Sequence, residues 1–162
     1  MINREFEDVV LRLQLTPEKI RGLITGLSGE ELCRKNSPEE FSILEHVCHL
    51  RDIEVEGYVP RVKRILNEEK PALPDIDGSR LALERDYNRD NLESALRAFS
   101  QARATNVRML HDVSENQLDR EGVLEGTGTI TLRQLLDLQR EHDEEHLREL
   151  GILCHKTTSH TA

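Results

Sequence analysis

The sequence predicts an all-α fold of four main helices, and three observations lead to it. Apolar residues recur at intervals of three and four over long stretches, and no stretch alternates with a period of two between hairpin turns. Aromatic residues make up only 3% of the chain and Trp is absent, so the core must be built from Leu, Ile, Val and Ala, a composition that favours helices. The 162 residues are the usual size of one domain.

The first helix is predicted at about residues 3–25. A Thr cap followed by Pro, at Thr16 and Pro17, predicts an interruption there, because this pair favours the start of a helix. A short helical turn is expected from Ser28, since Glu31 stands three residues later and completes a capping box. The segment before residue 37 is therefore predicted to contribute one long helix and one short turn.

The second helix is predicted to begin near Ser37 and Pro38, again a cap followed by a Pro, and to run to about Asn67. Pro60 lies inside it and lacks the N–H for the bond one turn back, so a kink or short break is expected there. Residues 69–78 hold two Pro, one Gly and two Asp and form the longest predicted connection. We expect this segment to cross over along the bundle.

The third helix is predicted at about residues 89–113. After a polar segment, Thr129 or Thr131 can cap the fourth helix, which ends near residue 154. Residues 155–162 are polar and are predicted to form a frayed tail. The sequence therefore predicts a single domain of residues 1–154 with a short tail.

Charge and Cys usage exclude several classes of protein. With 31 acidic and 22 basic residues and a net charge of −9, we expect neither nucleic acid nor an anionic membrane as a partner. Residues 1–5 lack an apolar signal core and no long apolar run follows, which predicts a cytoplasmic protein. Cys33, Cys48 and Cys154 are widely spaced, which argues against a disulfide framework and against a Cys-based zinc site.

Two His lie one turn apart on the predicted core face of the fourth helix. His142 and His146 continue a stripe of Leu residues, and imidazoles at this spacing can bind one divalent ion. The alternative is that each is simply a buried, hydrogen-bonded side chain. The local pattern differs from the HExxH helix of metallopeptidases, because Asp143 replaces the Glu and no further zincin residues follow. Peptidase activity is therefore disfavoured.

A second pair, His46 and His49, lies on the second helix at a spacing of three. His49 shares its side of the helix with Glu45 and Asp52, which also fits a solvated polar face. Alternatively, carboxylates beside a ligand imidazole orient its ring, so these two acids could support His49 as a ligand. Spacing alone leaves both alternatives open.

The segment 41–54, Phe-Ser-Ile-Leu-Glu-His-Val-Cys-His-Leu-Arg-Asp-Ile-Glu, resembles the conserved second-helix motif of the DinB-like superfamily. Later features follow in the family's order, and the resemblance covers about residues 38–150. These later features are Arg64-Ile65-Leu66, Pro71 with Leu73, Asp77, Tyr87, Phe99 with Arg103, Gly128 with Thr131-Leu132, and His142-Asp143 with His146-Leu147. Each piece is weak alone, and their order makes the resemblance specific.

This resemblance implies a four-helix bundle, in which the long crossover connection predicted above lies between helices two and three. It also implies a divalent metal site made of His49, His142 and His146, with open positions for water. His46 is not a position of the family pattern, so it is expected at the surface or as support for a ligand. The other His have no partner at a useful spacing and are expected to be structural or exposed: His111, His155 and His160.

A three-His site with an open position is the layout of a catalytic metal, and imidazole suits Zn, Ni, Fe and Cu alike. Family members with assigned activity are similar to thiol S-transferases that use bacillithiol, mycothiol or glutathione-type thiols. The leading hypothesis is therefore a metal-dependent transferase that joins a low-molecular-weight thiol to a small electrophilic substrate. Arg51, Tyr58 and Arg61 could contact a polar ligand if the bundle end opens near them.

Two other functions remain open from the sequence. One is metal-dependent hydrolysis with Asp143 or Glu145 as a base, and the other is a non-enzymatic, metal-stabilised, stress-linked bundle. Cys48 points about 100° around the helix from His49 and is interpreted as core packing. A homodimer is expected from the family resemblance and from the frequency of such dimers.

Overall fold

A computed structural model describes residues 3–160 and confirms a mainly helical, all-α class of fold with four long helical rods. The first rod is α1 (Arg4–Ile24). The second rod consists of α3 (Ile43–Asp52), a π-helical stretch (Ile53–Tyr58) and α4 (Val59–Asn67). The third rod is α6 (Leu92–His111), and the fourth is α8 (Leu132–His160). Shorter elements are α2 (Gly29–Cys33), α5 (Gly78–Arg85), α7 (Glu115–Leu118), a 3-10 turn (Tyr87–Arg89), and strands β1 (Ala72–Leu73), β2 (Glu121–Leu124) and β3 (Gly128–Thr131). Both α1 and α3 pack against α6 and α8, which closes a bundle. No helix in this part of the chain combines the length and the apolar character needed to span a membrane.

The first helix runs without interruption through Pro17, so the predicted restart is wrong. Pro17 has no N–H to donate to the carbonyl of Leu13 one turn earlier. Arg103 donates to that carbonyl instead, at 2.7 Å. Thr16 is not a cap, because its hydroxyl bonds Asp143 at 2.7 Å. Contacts from the rest of the bundle therefore satisfy the groups that suggested a break.

The second rod begins at Ile43, several residues later than predicted. Ser42 accepts a hydrogen bond from the backbone N–H of Glu45, and the Glu45 carboxylate accepts one from the N–H of Ser42. This reciprocal capping box satisfies two free donors at the helix end. The Ser-Pro-Glu-Glu segment at residues 37–40 forms a turn instead. The short turn predicted from Ser28 is confirmed as α2, with its capping box.

Pro60 does not break the second rod. The residues before it form the π-helical stretch, in which the N–H of Val59 bonds the carbonyl of Glu54 five residues earlier. A π-bulge inserts one residue into the turn and so shifts the hydrogen-bond pattern before the Pro. The predicted irregularity is present, but the helix continues through it.

A three-stranded sheet, which the sequence analysis did not predict, ties the long connection to the bundle. β1 pairs parallel with β2, and β2 pairs antiparallel with β3. Gly126 and Gly128 adopt φ of 78° and 102°, a left-handed conformation that permits the tight turn between β2 and β3. Because β1 has two residues and the others four, no strand is long enough to show a sustained alternation.

The fourth helix continues to His160, beyond the predicted end near residue 154. Thr157 is only 7% exposed, and its hydroxyl donates to the carbonyl of Leu153 at 2.9 Å. Packing therefore keeps most of the predicted tail helical. Residues 1–2 and 161–162 and the side chain of His160 lie outside the described part, and the division between domain and tail stays a prediction.

Two hydrophobic clusters form the core, and a polar layer lies between them. One cluster contains Ile20 and Phe99, and the other contains Leu13 and Leu110. Along each long helix, the polar residues fall between the members of the two clusters. These buried polar residues are Thr16, Glu54, Arg103, Asn106, Gln139 and Asp143.

Arg103 is the centre of this polar layer and is 2% exposed. It donates to both oxygens of Asp143, at 2.6 and 3.0 Å, and to Glu54 at 3.0 Å. Glu54 also accepts from Asn106 at 3.0 Å and from Gln139 at 2.7 Å. Burial lowers the pKa of Arg103, but the neighbouring carboxylates outweigh it and raise that pKa overall. The layer thus fixes α8 against α6 and the second rod.

Candidate metal centre

Three His converge between the second and fourth rods. His49 comes from α3, and His142 and His146 come from one face of α8. The Nε2 atom of His142 lies 3.0 Å from Nε2 of His49 and 3.2 Å from Nε2 of His146. One nitrogen from each ring lies within 4.8 Å of the other two. The structure therefore brings together the three His that the sequence analysis singled out.

The spacing of these nitrogens fits a divalent ion. Zinc–nitrogen bonds of about 2.0–2.1 Å place two ligand nitrogens about 3.3 Å apart at a tetrahedral angle and about 2.9 Å apart at a right angle. The distances of 3.0 and 3.2 Å lie between these values. Imidazole nitrogen also suits several other transition metals, so the donor set fits a divalent ion without selecting one.

Burial keeps the His rings in the neutral form that binds metal. It lowers the pKa of His46 and of His49 to about 4, the latter with help from the neighbouring rings, and it lowers the pKa of His146 to about 2. Burial also lowers the pKa of His142. A neutral imidazole keeps a lone pair free for a metal ion, so these rings are ready to bind one at neutral pH.

The metal-free protein should lose stability as the pH falls from about 6.5 to about 4. His in an unfolded chain has a pKa of about 6.5. Between about pH 6.5 and 4 the unfolded state therefore binds protons that the buried rings of the folded state do not bind, and the free energy of unfolding falls. Above pH 6.5 these rings are neutral in both states and cause no loss of stability. Urea midpoints at about pH 7.5, 6 and 5 measure the effect. The variant His46→Asn should show a shallower dependence, and equal midpoints in the wild type would contradict the expectation.

Gly78, at the start of α5, lies directly against the ring of His49. A Cβ atom at this position would come within 2.7 Å of Nδ1 of His49 and closer still to its Cε1. The long connection therefore positions a ligand ring by close backbone approach, which only a Gly permits. Asp77 accepts a hydrogen bond from the N–H of Arg80 at 3.0 Å and so caps α5 at this point.

Gly78→Ala should weaken metal binding without unfolding the bundle. The new methyl group would push the His49 ring aside, whereas α5 buries none of its residues and can tolerate the change. We expect about tenfold weaker affinity, a loss typical of a misplaced ligand, measured by competition with a chromophoric chelator. Gly22→Ala is the matched control, because a Cβ added there would meet no atom within 4 Å beyond its own helix backbone and chain neighbours. Equal affinities in both variants would refute this role of Gly78.

His46 is buried beside the three-His cluster, so the surface position considered for it is wrong. It is 3% exposed, and its Nδ1 lies 2.8 Å from Nδ1 of His146. Its Nε2 lies 3.5 Å from a carboxylate oxygen of Glu149. One feature of the sequence indicates that His46 lies near the cluster, because it precedes His49 by three residues, nearly one helical turn. The role of supporting a ligand fits these contacts.

The two remaining His side chains that the structure describes lie away from the cluster. His111 is 83% exposed and lies 3.1 Å from the neighbouring carboxylate of Asp112. His155 is also exposed, on the last turns of α8. Both positions confirm the prediction that these residues are structural or exposed.

A cavity of about 440 Å³ adjoins the cluster. The rings of His46 and His146 form part of its wall, together with Phe41, Glu149 and Ile152. The Phe41 ring lies 5.5 Å from the ring of His46, centroid to centroid, and so covers this side of the cluster. A cavity of this size accommodates a small molecule.

Neither acidic residue considered as a base from the sequence is placed for that role. Asp143 is 3% exposed, and Arg103 and Thr16 occupy its oxygens. Glu145 is exposed on α8 and is not among the residues that line the cavity. The carboxylate next to His142 therefore serves the polar layer and not the cavity.

The polar residues proposed to contact a ligand are mostly engaged elsewhere. Arg51 donates to Asp52 at 2.8 Å and to Asp90 at 2.6 Å. Arg61 donates to a backbone carbonyl of the long connection at 2.9 Å. Tyr58 is 7% exposed, and its ring lies 6.2 Å from the ring of His142. Of the three, only Tyr58 lies beside the cluster.

Cys48 packs in the core as interpreted from the sequence. It is fully buried, and its sulfur faces the carbonyl of Tyr87 at 3.9 Å. Burial raises the pKa of its thiol to about 12, so the thiolate is not available at neutral pH. All three cysteines are free, in agreement with the absence of a disulfide framework.

The fold and the cluster define a class of protein: helical bundles in which one His from the second rod and two from the fourth can hold a divalent ion. The family model of the DinB superfamily matches residues 12–150. The chain therefore belongs to the DinB superfamily, which confirms the resemblance found in its sequence.

Relatives and solved structures agree with this assignment. Two relatives from Oceanobacillus iheyensis are each named "Putative metal-dependent hydrolase". The first is 26% identical to this chain, and the match covers 80% of this chain and 73% of the relative. The second is 22% identical, and the match covers 85% of this chain and 79% of the relative. The structure of YfiT from Bacillus subtilis, described as "a probable metal-dependent hydrolase with an unusual four-helix bundle topology", matches with a TM-score of 0.88 at 20% identity. The match covers 98% of this chain and 91% of YfiT, so the two share a fold.

Proposed function

We propose that this protein is a metal-dependent hydrolase of small molecules, with His49, His142 and His146 as its metal ligands. The observation that carries the proposal is the convergence of three neutral imidazole nitrogens beside a cavity of about 440 Å³. Three protein ligands leave open positions, as in catalytic zinc sites. The names of the two relatives support hydrolysis.

The chain's own residues hold the ion and shape the space beside it. When bound, a divalent ion supplies Lewis acidity and acidifies water. The His rings fix its place, and Phe41 covers the rings from the cavity side. Among the described residues, the cavity wall also carries the carboxylates of Glu39, Glu40 and Glu149 and the amine of Lys156. These carboxylates favour the binding of a divalent cation, whose charge would offset theirs.

A thiol S-transferase would use the same three ligands and is the second candidate. Its thiol would have to come from outside the chain, because the Cys48 thiol faces the core and its pKa is about 12. The names of the two relatives favour hydrolysis, so transfer ranks below it. The ion could be Zn, Ni or Fe in either case.

The test is turnover of neutral, cationic and anionic esters and amides by the metal-loaded protein, with and without added thiol. We expect product with water alone, loss of activity on chelation, and recovery when the ion is restored. Strict dependence on a thiol would favour the transferase. A large metal-dependent rise in melting temperature without turnover of any substrate would instead indicate a non-enzymatic bundle.

A further inference from the structure

We propose that His46 positions His146 as a metal ligand by accepting a hydrogen bond from its Nδ1, an inference that rests on the proposed metal centre. The two Nδ1 atoms lie 2.8 Å apart, well within hydrogen-bond distance. The opposite nitrogen of His146 faces the other ligands, with its Nε2 lying 3.2 Å from Nε2 of His142. The His146 ring thus lies between the metal centre and His46.

This arrangement fixes the position of each proton. A nitrogen that binds metal must offer its lone pair, so His146 carries its proton on Nδ1 when Nε2 is the ligand atom. His46 then accepts with Nδ1 and carries its own proton on Nε2. That nitrogen lies 3.5 Å from Oε2 of Glu149, and an ionised carboxylate can only accept. The hydrogen bond therefore runs from His146 to His46, and the protonated Nε2 of His46 faces the carboxylate of Glu149.

His46 is rigid enough for this role. It is 3% exposed, and the Phe41 ring packs edge-on against it with centroids 5.5 Å apart. It also shares the α3 helix with His49, less than one turn away. One helix thus presents both a ligand and the partner of a second ligand, which ties α3 to α8 at the centre.

The two buried ligands are positioned by different means. Within the described residues, Nδ1 of His49 is buried without a hydrogen-bond partner, and the backbone of Gly78 lies against that side of its ring. His146 instead has a side-chain acceptor at its outer nitrogen. Acceptors of this kind set the tautomer and the orientation of ligand His, and their loss commonly weakens metal binding 10- to 100-fold.

The test compares two substitutions at residue 46. His46→Asn keeps an oxygen acceptor near the position of Nδ1, whereas His46→Leu fills the space without one. We expect the affinity for Zn²⁺ or Co²⁺, measured by chelator competition, to fall about 10- to 100-fold in His46→Leu and to stay within about threefold in His46→Asn. Circular dichroism and the melting temperature of the metal-free variants control for folding.

A direct readout in the wild type accompanies the variants. Long-range ¹⁵N spectra of the Zn²⁺-loaded protein should show His146 protonated on Nδ1, and they decide the matter if His46→Leu fails to fold. The proposal is overturned if His46→Leu binds as tightly as the wild type, if His46→Asn binds as weakly as His46→Leu, or if His146 is protonated on Nε2. Retention of metal by His142→Ala would instead overturn the metal centre itself.

Discussion

Replacing His142 by Ala should remove the stoichiometric metal ion and lower metal-dependent turnover by more than about a hundredfold. This effect exceeds the 10- to 100-fold loss typical of a residue that only supports a ligand. His142 is the central member of the cluster, because its Nε2 lies 3.0 Å from Nε2 of His49 and 3.2 Å from Nε2 of His146. Metal analysis of protein purified without a His tag measures the loss.

The exposed His111 provides the control, since His111→Ala removes an imidazole far from the cluster and should keep one ion per chain. His49→Ala and His146→Ala should lose the ion as His142→Ala does. A variant that keeps one ion per chain would remove its residue from the ligand set. Activity that survives the loss of the ion would exclude a metal-dependent reaction.

Replacing Arg103 by Met should cost about 3–5 kcal/mol of unfolding free energy. Met keeps contact with the Phe99 ring, over which the guanidinium now lies at 4.9 Å, but leaves the carboxylates of Glu54 and Asp143 without their cation. Both carboxylates are nearly inaccessible to water, and a buried charge without a partner is strongly destabilising. Urea unfolding at neutral pH measures the change.

Arg21→Met is the matched control, because it breaks an exposed ion pair with Glu93 at 3.2 Å and should change stability little. Adding Glu54→Gln and Asp143→Asn to Arg103→Met should recover part of the loss, since the uncompensated charges are then absent. If Arg103→Met unfolds at the same urea concentration as the wild type, water must reach the polar layer.

Helical periodicity was sufficient to predict the four rods and most of their ends. The start of the second rod was predicted too early, because Ser37 with Pro38 and Ser42 with Glu45 both have the pattern of a helix start. Ser42 and Glu45 form the actual start, because Ser42 follows the turn at residues 37–40 and directly precedes the buried residues that begin at Ile43. The strands were missed because two to four residues cannot show an alternating pattern, and their pairing depends on contacts between distant segments.

The three-His cluster could be predicted because helical spacing places His142 and His146 together and the family motif contributes His49. The polar layer could not be predicted as a network. Arg103 and Asn106 follow Phe99 at spacings that put them on the buried face, but their partners come from other helices. The burial of His46 likewise depends on α8, which supplies both His146 and Glu149.

The adjacency of His142 and Asp143 links the site to the core. Asp143 is bound to Arg103 in the polar layer, and the preceding residue, His142, belongs to the three-His cluster. Any slide or rotation of α8 would therefore separate a buried ion pair and misplace an imidazole in the same movement. A mutation that moves α8 to change the coordination geometry would therefore also lower the stability of the fold. Substitutions in the cavity wall leave the buried ion pair intact, so evolution can change the activity more easily there.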